Sequence, residues 1–294
     1  MSLAVRFTET LFRWLARRSP ATRARVGRII GTLAWPLVPR RRRIALRNIE
    51  LCFPELSPRE QRRLGRRHFV ELAHSIVDRA ILWYGTEEQV RALVALEGFH
   101  HLQEALQEGP VILLAPHFIG LDAGATRLSL EGPAASMYQV QSHPGFDALF
   151  RKGRTRFNDI RLVSRREGLR PLVRYLRQGL PIYYLPDMDF GRRSAVFVPF
   201  FGVPAATVTA PAQLARNWQA RIVPVLTYRD PITGQYTTHV QAPLDDFPGD
   251  DDLTSATARL NREIEAWIRV APSQYHWVHK RFKTQPEGWP DLYD

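Results

Sequence analysis

Short apolar runs alternate with helix-like patterns through the middle of this chain, and this alternation restricts the fold more than any other feature. Three of the runs lie at 111–115, 182–185 and 222–226. Strands that are buried on both faces of a sheet have this length and composition. Helical patterns lie at 57–84, which looks like a pair of helices, and at about 99–108, 122–130, 145–157, 168–178, 207–219 and 253–270. The alternation predicts an α/β fold with a largely parallel central sheet flanked by helices.

Positive charge is concentrated near the start of the chain. Residues 1–47 hold twelve arginines and one acid, Glu9, so this segment carries +11 of the formal net charge of +12. The rest of the chain is therefore close to neutral. A basic segment of this kind binds either nucleic acid or an anionic membrane surface.

Apolar residues between these arginines favour the membrane. Leu11, Trp14 and Leu15 recur at helical spacing, and so do the residues at 26, 29, 30, 33 and 37. Arginine on one helix face with tryptophan and leucine on the other is typical of a helix that lies in the membrane interface. The alternative is a solvated basic face over a docked helix. A nucleic-acid-binding protein is the rival from another class, but no helix-turn-helix or zinc-finger pattern is present.

The two longest apolar or uncharged stretches do not predict a membrane-spanning helix. The stretch 29–39 contains Pro36 and is short against the roughly twenty residues that a bilayer requires. The stretch 194–215 contains three prolines and a glycine, so we expect buried strand and loop there. A cleaved signal peptide is not expected, because no continuous apolar core follows the first arginines. Peripheral or monotopic attachment is therefore predicted.

Several reaction classes lack their sequence patterns. The single cysteine, Cys52, excludes an intramolecular disulfide and gives no support for a cysteine-based metal site. The sequence has no Gly-x-Ser-x-Gly elbow, no P-loop and no dinucleotide-binding fingerprint. His100 and His101 are adjacent and do not form a His-Glu-x-x-His helix. We therefore expect neither a metal nor a cofactor.

The segment 115–122 holds the strongest candidate for acid–base chemistry. His117 follows an apolar strand, where α/β sheets place their functional loops. On one regular helix the side chains of His117 and Asp122 would point about 140° apart. They meet only if His117 lies on the strand-to-helix loop and Asp122 in the first helical turn, with the bend at Gly120. Asp122 would then hold one imidazole nitrogen and leave the other free to take a proton from a hydroxyl. The alternative is a structural His–Asp pair that caps the helix.

Five blocks of sequence resemble the lipid A late acyltransferases, the lauroyl- or myristoyl-transferring branch of the lysophospholipid acyltransferase-like superfamily. They lie at 47–55, 117–122, 185–191, 194–202 and 274–284, and they read RNIELCFPE, HFIGLD, LPDMDFG, SAVFVPFFG and QYHWVHKRFKT. The likeness covers nearly the whole chain from Arg40 onward. The first and last blocks are long and unusual, so the resemblance is specific.

The resemblance assigns roles to individual residues. The family's His-x₄-Asp/Glu catalytic pair corresponds to His117 and Asp122, with Asp as the shorter variant. Catalytic roles are also implied for Arg154 and Asp187, although a strand-end capping acid is the alternative for Asp187. Basic residues in family-like blocks are expected to contact the substrate head group: Arg192, Arg193, Lys280 and Arg281. The aromatic-rich run 196–201 is expected either to line an acyl channel or to pack in the core.

The resemblance also implies a fold and a reaction. The fold would be glycerol-3-phosphate acyltransferase-like, with a membrane-associating segment at 1–47 and an acyltransferase domain at 48–294. The reaction would move a fatty acyl chain from acyl carrier protein to a hydroxyl of a lipid A precursor, with His117 as general base. An oxyanion would be stabilised by Arg154 or by backbone N–H groups around Gly120. The implied location is the cytoplasmic face of the bacterial inner membrane, on an anionic lipid surface.

Two alternatives concern the acceptor. Transfer to a lysophospholipid is the first, but the block at 185–191 lacks the Phe-Pro-Glu-Gly pattern usual in those enzymes. Transfer to a glycolipid other than lipid A is the second, and the sequence discriminates poorly against it. Relatives commonly have a membrane-spanning N-terminal helix, and this chain departs from them there.

Overall fold

A computed structural model describes residues 2–293. The strands are β1 (Val94–Glu97), β2 (Val111–Leu114), β3 (Ala134–Tyr138), β4 (Ile160–Ser164), β5 (Ile182–Tyr184), β6 (Ala195–Phe200), β7 (Val203–Val208), β8 (Arg221–Arg229) and β9 (Tyr236–Val240). The helices are α1 (Leu3–Ala16), α2 (Pro20–Leu37), α3 (Pro39–Cys52), α4 (Pro58–Tyr84), α5 (Glu87–Leu93), α6 (Phe99–Glu108), α7 (Leu121–Ser129), α8 (Pro144–Arg154), α9 (Arg170–Arg177), α10 (Ala210–Trp218) and α11 (Leu253–Val270).

Seven strands form one sheet in the order β1-β9-β8-β2-β5-β3-β4. Every neighbouring pair is parallel except β8 and β9, which form a hairpin. The apolar residues of β2 alternate between two core clusters, with Ile112 and Leu114 in one and Val111 and Leu113 in the other. Alternation of this kind means that both faces of the strand are covered. The predicted α/β fold with a largely parallel sheet is confirmed.

The hairpin of β6 and β7 lies outside this sheet and packs on α11. Its turn is formed by Phe201 and Gly202, which have φ angles of 51° and 76°. Together with α10, it accounts for the uncharged stretch 194–215, where strand and loop were predicted. Pro211 is accommodated in the first turn of α10, where a proline costs no hydrogen bond.

The segment 57–84 forms one helix of 27 residues, α4, rather than the predicted pair. Ser57 and Glu60 form a capping box at its start. The glycine inside it, Gly65, does not break the helix: a Cβ there would lie 3.0 Å from the ring of Trp35, so glycine permits close packing. Both α1 and α2 pack against α4, which makes α4 the link between the N-terminal helices and the sheet.

The N-terminal basic segment forms α1, α2 and the first part of α3. Two glycines of α2 bring it very close to α4: a Cβ at Gly27 would lie 2.4 Å from His74 Nδ1, and one at Gly31 would lie 2.4 Å from Val70 Cα. The domain boundary predicted at residue 47 falls inside α3. None of the helices in the described part of the chain combines the length and the apolar character needed to cross a membrane.

Candidate active site

His117 lies on the loop after β2, and Asp187 lies on the loop after β5. The two strands are parallel neighbours, with Leu114 opposite Tyr184, so each of these side chains follows the paired position by three residues. The carboxylate of Asp187 engages the histidine twice. It lies 2.7 Å from His117 Nδ1 through Oδ1, and it accepts the His117 backbone N–H at 2.8 Å through Oδ2.

This contact corrects the predicted pairing of His117 with Asp122. The carboxylate that holds the imidazole belongs to Asp187. Because an ionised carboxylate can only accept a hydrogen bond, Nδ1 carries a proton, and in the neutral imidazole Nε2 then holds the free lone pair. The His117 side chain is about one-fifth exposed (19%), whereas that of Asp187 is 1% exposed. The buried carboxylate of Asp187 therefore orients the imidazole, and the His117 side chain remains partly accessible to a substrate.

Asp122 occupies the first turn of α7, as predicted, but its partners are two arginines. Arg79 of α4 donates through Nε to Oδ2 at 2.8 Å, and Arg154 of α8 donates through Nη2 to Oδ1 at 2.8 Å. Both carboxylate oxygens are therefore occupied by guanidinium groups, which are stronger partners than a neutral imidazole. The predicted residues Asp122 and Arg154 are brought together in this way, and Arg79 joins them.

The pKa values of the two carboxyl groups are lowered for different reasons. Burial alone would raise the pKa of Asp122, but the charges of Arg154 and Arg79 outweigh it and hold the pKa well below its ordinary value. Burial opposes ionisation of Asp187 as well, but a positive charge on His117 and the hydrogen bonds from it lower the pKa of Asp187 to about 2. Both acids are ionised near neutral pH.

The segment 272–285 closes against the histidine loop. His276 donates its backbone N–H to the His117 carbonyl at 2.9 Å, and Ile119 donates its N–H to the Gln274 carbonyl at 2.8 Å. The ring of His276 lies 6.3 Å from that of His117, centroid to centroid. Burial, followed by the charge of His117, holds the pKa of His276 well below its ordinary value. His276 is thus a neutral polar neighbour of the candidate base.

Asp189, the second acid of the 185–191 block, binds the segment 272–285. Asp189 accepts the backbone N–H and the hydroxyl of Thr284 at 2.6 Å and 2.8 Å. The first block of the resemblance meets the same segment, since Asn48 Nδ2 donates to the carbonyls of Trp277 and His279 at 2.6 Å and 2.7 Å. The blocks at 47–55, 185–191 and 274–284 therefore form a scaffold around the histidine loop.

Gly120 serves close packing and not an unusual bend. Its φ of −79° and ψ of 0° are open to any residue, but a Cβ would lie 2.5 Å from the Thr227 carbonyl oxygen. The N–H groups of Phe118, Ile119 and Leu121 all donate to carbonyls within the protein. These three N–H groups are therefore engaged within the fold, and the guanidinium groups of Arg79 and Arg154 remain as candidate oxyanion donors.

An apolar cavity of about 90 Å³ adjoins Asp122 and Arg154. Its walls come from α7, β2, β3, β4 and β5 and include Leu113, Met137 and Leu185. The run 196–201 was expected either to line an acyl channel or to pack in the core. It forms most of β6 and the first residue of the following turn, and its residues Val198 and Phe200 are buried. Core packing is therefore the role of those two side chains, and the apolar space beside the candidate catalytic residues lies elsewhere.

The four predicted head-group residues have different surroundings. Arg281 is only 2% exposed and donates to the Ala206 carbonyl and the Thr207 hydroxyl at 2.9 Å and 2.7 Å, so its guanidinium is used inside the fold. Arg192 is exposed and donates to the Gln285 carbonyl at 2.7 Å. Arg193 is exposed, and Lys280 lies 5.0 Å from the Tyr293 ring centroid. Direct contact of Arg281 with a head group is thus incompatible with its burial.

Sequence reasoning missed Arg79 and His276 as parts of the site. Arg79 lies 43 residues before Asp122, inside a helix that showed only an apolar stripe. His276 belongs to a block that was recognised but given no role beyond its basic residues. The position of Asp187 just after an apolar strand was a usable signal, because the carboxyl ends of parallel strands meet at one edge of a sheet. Applying it to His117 and Asp187 required the strand order, which the sequence did not give.

Comparison with known proteins gives a consistent result. The family described as bacterial lipid A biosynthesis acyltransferase matches residues 7–284. The lipid A biosynthesis lauroyltransferase of Escherichia coli (strain K12) is 34% identical over 271 residues, which cover 92% of this chain and 88% of that protein. A lipid A biosynthesis acyltransferase of Haemophilus influenzae (strain ATCC 51907 / DSM 11121 / KW20 / Rd) is 35% identical over 258 residues, covering 87% and 82%. The lipid A biosynthesis myristoyltransferase of Escherichia coli (strain K12) is 34% identical over 267 residues, covering 90% and 81%. The match extends over nearly all of the chain, including every element of the site, and this chain belongs to the bacterial lipid A biosynthesis acyltransferase family.

Proposed function

We propose that this acyltransferase moves a fatty acyl chain from acyl carrier protein to a hydroxyl of a lipid A precursor. The observation that carries the proposal is the bidentate contact of Asp187 with His117, which directs the proton of a neutral imidazole to Nδ1 and leaves Nε2 to accept one. Asp122, five residues after His117, binds Arg79 and Arg154, and an apolar cavity adjoins Asp122 and Arg154. The printed names of the relatives, which are lipid A lauroyl- and myristoyltransferases, support the choice of acceptor.

In the proposed reaction, His117 is a general base toward the acceptor hydroxyl. Nε2 takes the hydroxyl proton while the oxygen attacks the carbonyl carbon of the thioester. The tetrahedral oxyanion then collapses, the carbon–sulfur bond breaks, and the thiolate receives the proton from Nε2. The products are an ester and a free thiol, and the imidazole returns to its starting state. Asp187 stabilises the transient imidazolium throughout.

Arg79 and Arg154 supply the positive charge for the oxyanion. The two guanidinium groups share a single carboxylate, that of Asp122, so one unit of positive charge is not neutralised within this cluster. Their side chains are 25% and 32% exposed, whereas that of Asp122 is 13% exposed. The unused N–H groups therefore face accessible space, where a developing negative charge gains most from them.

The apolar cavity beside Asp122 would hold the part of the donor chain next to the thioester. Its lining is mainly aliphatic, with the hydroxyls of Thr126 and Ser129 engaged by carbonyls of α7 at 2.7 Å. A hydrocarbon chain gains free energy by leaving water for such a lining, at about 0.8 kcal/mol per buried methylene.

The N-terminal helices would attach the protein to the anionic cytoplasmic face of the inner membrane. Leu3, Phe7, Leu11 and Trp14 form an exposed row on α1, with exposed fractions from 37% to 85%. Leu3, Phe7 and Leu11 are spaced by one helical turn, so their side chains share one face. Apolar faces of this size next to many arginines suit an interfacial helix, and the same arginines complement strongly acidic acyl carrier protein.

Mass spectrometry of lipid products tests the proposal. Purified protein receives lauroyl- or myristoyl-acyl carrier protein with either a tetra-acylated lipid A precursor or lysophosphatidic acid. We expect a mass gain of one acyl chain on the lipid A precursor, its loss in His117→Ala, and its retention in His100→Ala, which removes an exposed histidine of α6. Transfer to lysophosphatidic acid alone would overturn the acceptor, and full activity of His117→Ala would overturn the mechanism.

A further inference from the structure

A second apolar compartment lies between α2 and α4. This α2–α4 groove has a volume of about 440 Å³. Its walls include Ile30, Ala34 and Val38 from the N-terminal side, Leu72 and Ile76 from α4, and His276 at its inner end. It shares no lining residue with the cavity beside Asp122. The protein thus offers two separate apolar spaces.

The groove opens onto an apolar surface. Ile30, Val38 and Ile76 are 45%, 39% and 38% exposed, and the neighbouring Leu33 and Leu37 of α2 are 53% and 73% exposed. Contiguous exposed apolar residues around a concave site mark a surface that binds another apolar molecule. The outer end of the groove is therefore suited to an occupant that arrives from a lipid phase.

One residue that lines the groove lies close to His117. His276 lines the groove, and its ring lies 6.3 Å from that of His117. Leu72, Ile76 and Arg79 are spaced by four and three residues on α4, so their side chains share one helix face. The same face of α4 that lines the groove therefore leads to the arginine that binds Asp122.

Positive charge lies beside the groove. Arg41 lines it and is held in place by a hydrogen bond from Nη1 to the Val278 carbonyl at 3.0 Å. A second cavity of about 320 Å³, the basic pocket, is lined by Arg40, Arg43, Ile44, Arg47, Lys280, Leu292 and Tyr293. Lys280 directly follows His279, a groove residue. Within residues 2–293, no Asp or Glu lines either the groove or the basic pocket.

We propose that the α2–α4 groove holds an acyl chain that the acceptor lipid already carries, with a phosphate of the same lipid in the basic pocket. This inference rests on the proposed function and states where its second substrate, the acceptor lipid, binds. The apolar walls suit the chain. The basic pocket has four basic side chains, of which Arg47 is paired with Glu50 at 2.9 Å, and arginine and lysine suit the phosphate. Because His276 of the groove contacts the His117 loop, an acceptor held in the groove would lie close to His117. Donor and acceptor chains would thus occupy different compartments.

A bulky side chain in the groove tests whether an acyl chain of the acceptor binds there. We expect Ala34→Trp to raise the KM for the tetra-acylated precursor by roughly tenfold or more, since displacing about two methylenes from an apolar site costs that factor. The KM for acyl carrier protein should not change. Thr32→Trp is the matched control, because Thr32 is exposed on α2 and does not line the groove. Equal KM values for both variants would overturn the groove assignment.

Removing the phosphate tests the basic pocket. We expect Lys280→Ala to raise the KM for a precursor bearing phosphates several-fold and to leave the KM for the dephosphorylated precursor unchanged. Equal effects on both lipids would overturn this part of the proposal.

Photocrosslinking separates this inference from the proposed function. A tetra-acylated precursor with a diazirine in one acyl chain should label peptides that contain 30–38 or 72–76, and Ala34→Trp should suppress the labelling. Labelling without transfer would retain the site and reject the reaction. Transfer with labelling confined to residues around Leu113 and Tyr183 would retain the reaction and reject the site.

Discussion

Two ion clusters include neighbouring residues of α4, and only one of the clusters belongs to the candidate active site. Asp78 faces Arg23 of α2 and Arg229 of β8, and Arg229 also binds Glu71 at 3.1 Å. We call these four residues the structural cluster. Arg79, the next residue, binds Asp122 together with Arg154, and these three form the site cluster. Consecutive helical residues point about 100° apart, so one helix serves both clusters.

The clusters differ in charge balance and in access to solvent. The structural cluster has two acids and two arginines, and none of its side chains is more than 9% exposed. The site cluster has one acid for two arginines, whose side chains are 25% and 32% exposed. A balanced, enclosed cluster fixes the packing of α2, α4 and β8. An unbalanced, accessible one retains the capacity to bind an anion, which is the property that the proposed chemistry requires.

The acids of the two clusters have opposite pKa shifts. Burial raises the pKa of both Glu71 and Asp78, and the nearby arginines only partly oppose it. In the site cluster, the two arginines outweigh burial and lower the pKa of Asp122. Asp78 also faces two arginines, but at 3.6 Å and 3.9 Å, whereas the two arginines of Asp122 lie at 2.7 Å and 2.8 Å. The closer charges oppose the effect of burial more strongly. An excess of positive charge beside a buried acid is therefore a better guide to function here than burial alone.

The largest expected effect concerns the residue that orients the base. Asp187→Asn should reduce kcat by about 10³–10⁴-fold, because the amide no longer fixes the proton on Nδ1. The measurement is steady-state acyl transfer with circular dichroism as a check on folding. Asp189→Asn is the paired variant, since Asp189 holds Thr284 rather than the histidine, and it should lose stability more than kcat. Equal losses of kcat in the two variants would contradict the distinct role of Asp187.

The next largest effect concerns the excess charge of the site cluster. Arg154→Ala should lower kcat by about 10²–10³-fold, the usual cost of removing one oxyanion donor. Lys152→Ala on the same helix is the control, because its side chain is 70% exposed. Rescue of Arg154→Ala by added guanidinium would sharpen the electrostatic interpretation. A loss confined to the KM for the donor would show that Arg154 binds substrate without stabilising the transition state.

The structural cluster should respond in stability and not in turnover. Arg229→Ala leaves Glu71 and Asp78 buried without their shared partner, which should lower the free energy of unfolding by about 3–5 kcal/mol. Urea denaturation measures this loss, and Arg221→Ala, an exposed residue of the same strand, is the control. The kcat of the folded fraction should remain near the wild-type value. A loss of kcat without a loss of stability would contradict the purely structural role of this cluster.

The smallest effect is the pH dependence of stability, which should have opposite signs in the two regions. The pKa of Asp187 is lowered to about 2, so its stabilising contribution is complete above its ordinary pKa of about 4 and is lost as the pH falls toward 2. The pKa of Glu71 is raised, so its contribution weakens as the pH rises above its ordinary value of about 4.3.

Denaturation curves at several pH values check these signs. Relative to wild type, Asp187→Asn should show a stability deficit that shrinks between pH 4 and pH 2. Glu71→Gln should remove part of the decline in stability above pH 4.3. Slopes of the same sign for both variants would contradict the opposite pKa shifts.

Local sequence patterns were sufficient for most of the fold. The runs at 111–115, 182–185 and 222–226 form β2, β5 and part of β8. Short, continuous apolar runs are typical of strands that are covered on both faces. The pattern failed at 57–84, where a pair of helices was predicted and the single helix α4 is observed. Whether Gly65 interrupts a helix or admits a neighbour depends on Trp35, which is 30 residues away in sequence.

The sequence by itself determined that His117 follows a buried strand and that Asp122 begins a helix, since both depend on nearby residues. Tertiary structure alone decided which acid meets the histidine. Asp187 lies 70 residues beyond His117, and it arrives there because β5 pairs with β2 in a register that aligns Leu114 with Tyr184. Strand order and register depend on the packing of the whole sheet, whereas a motif records only what is adjacent in the chain.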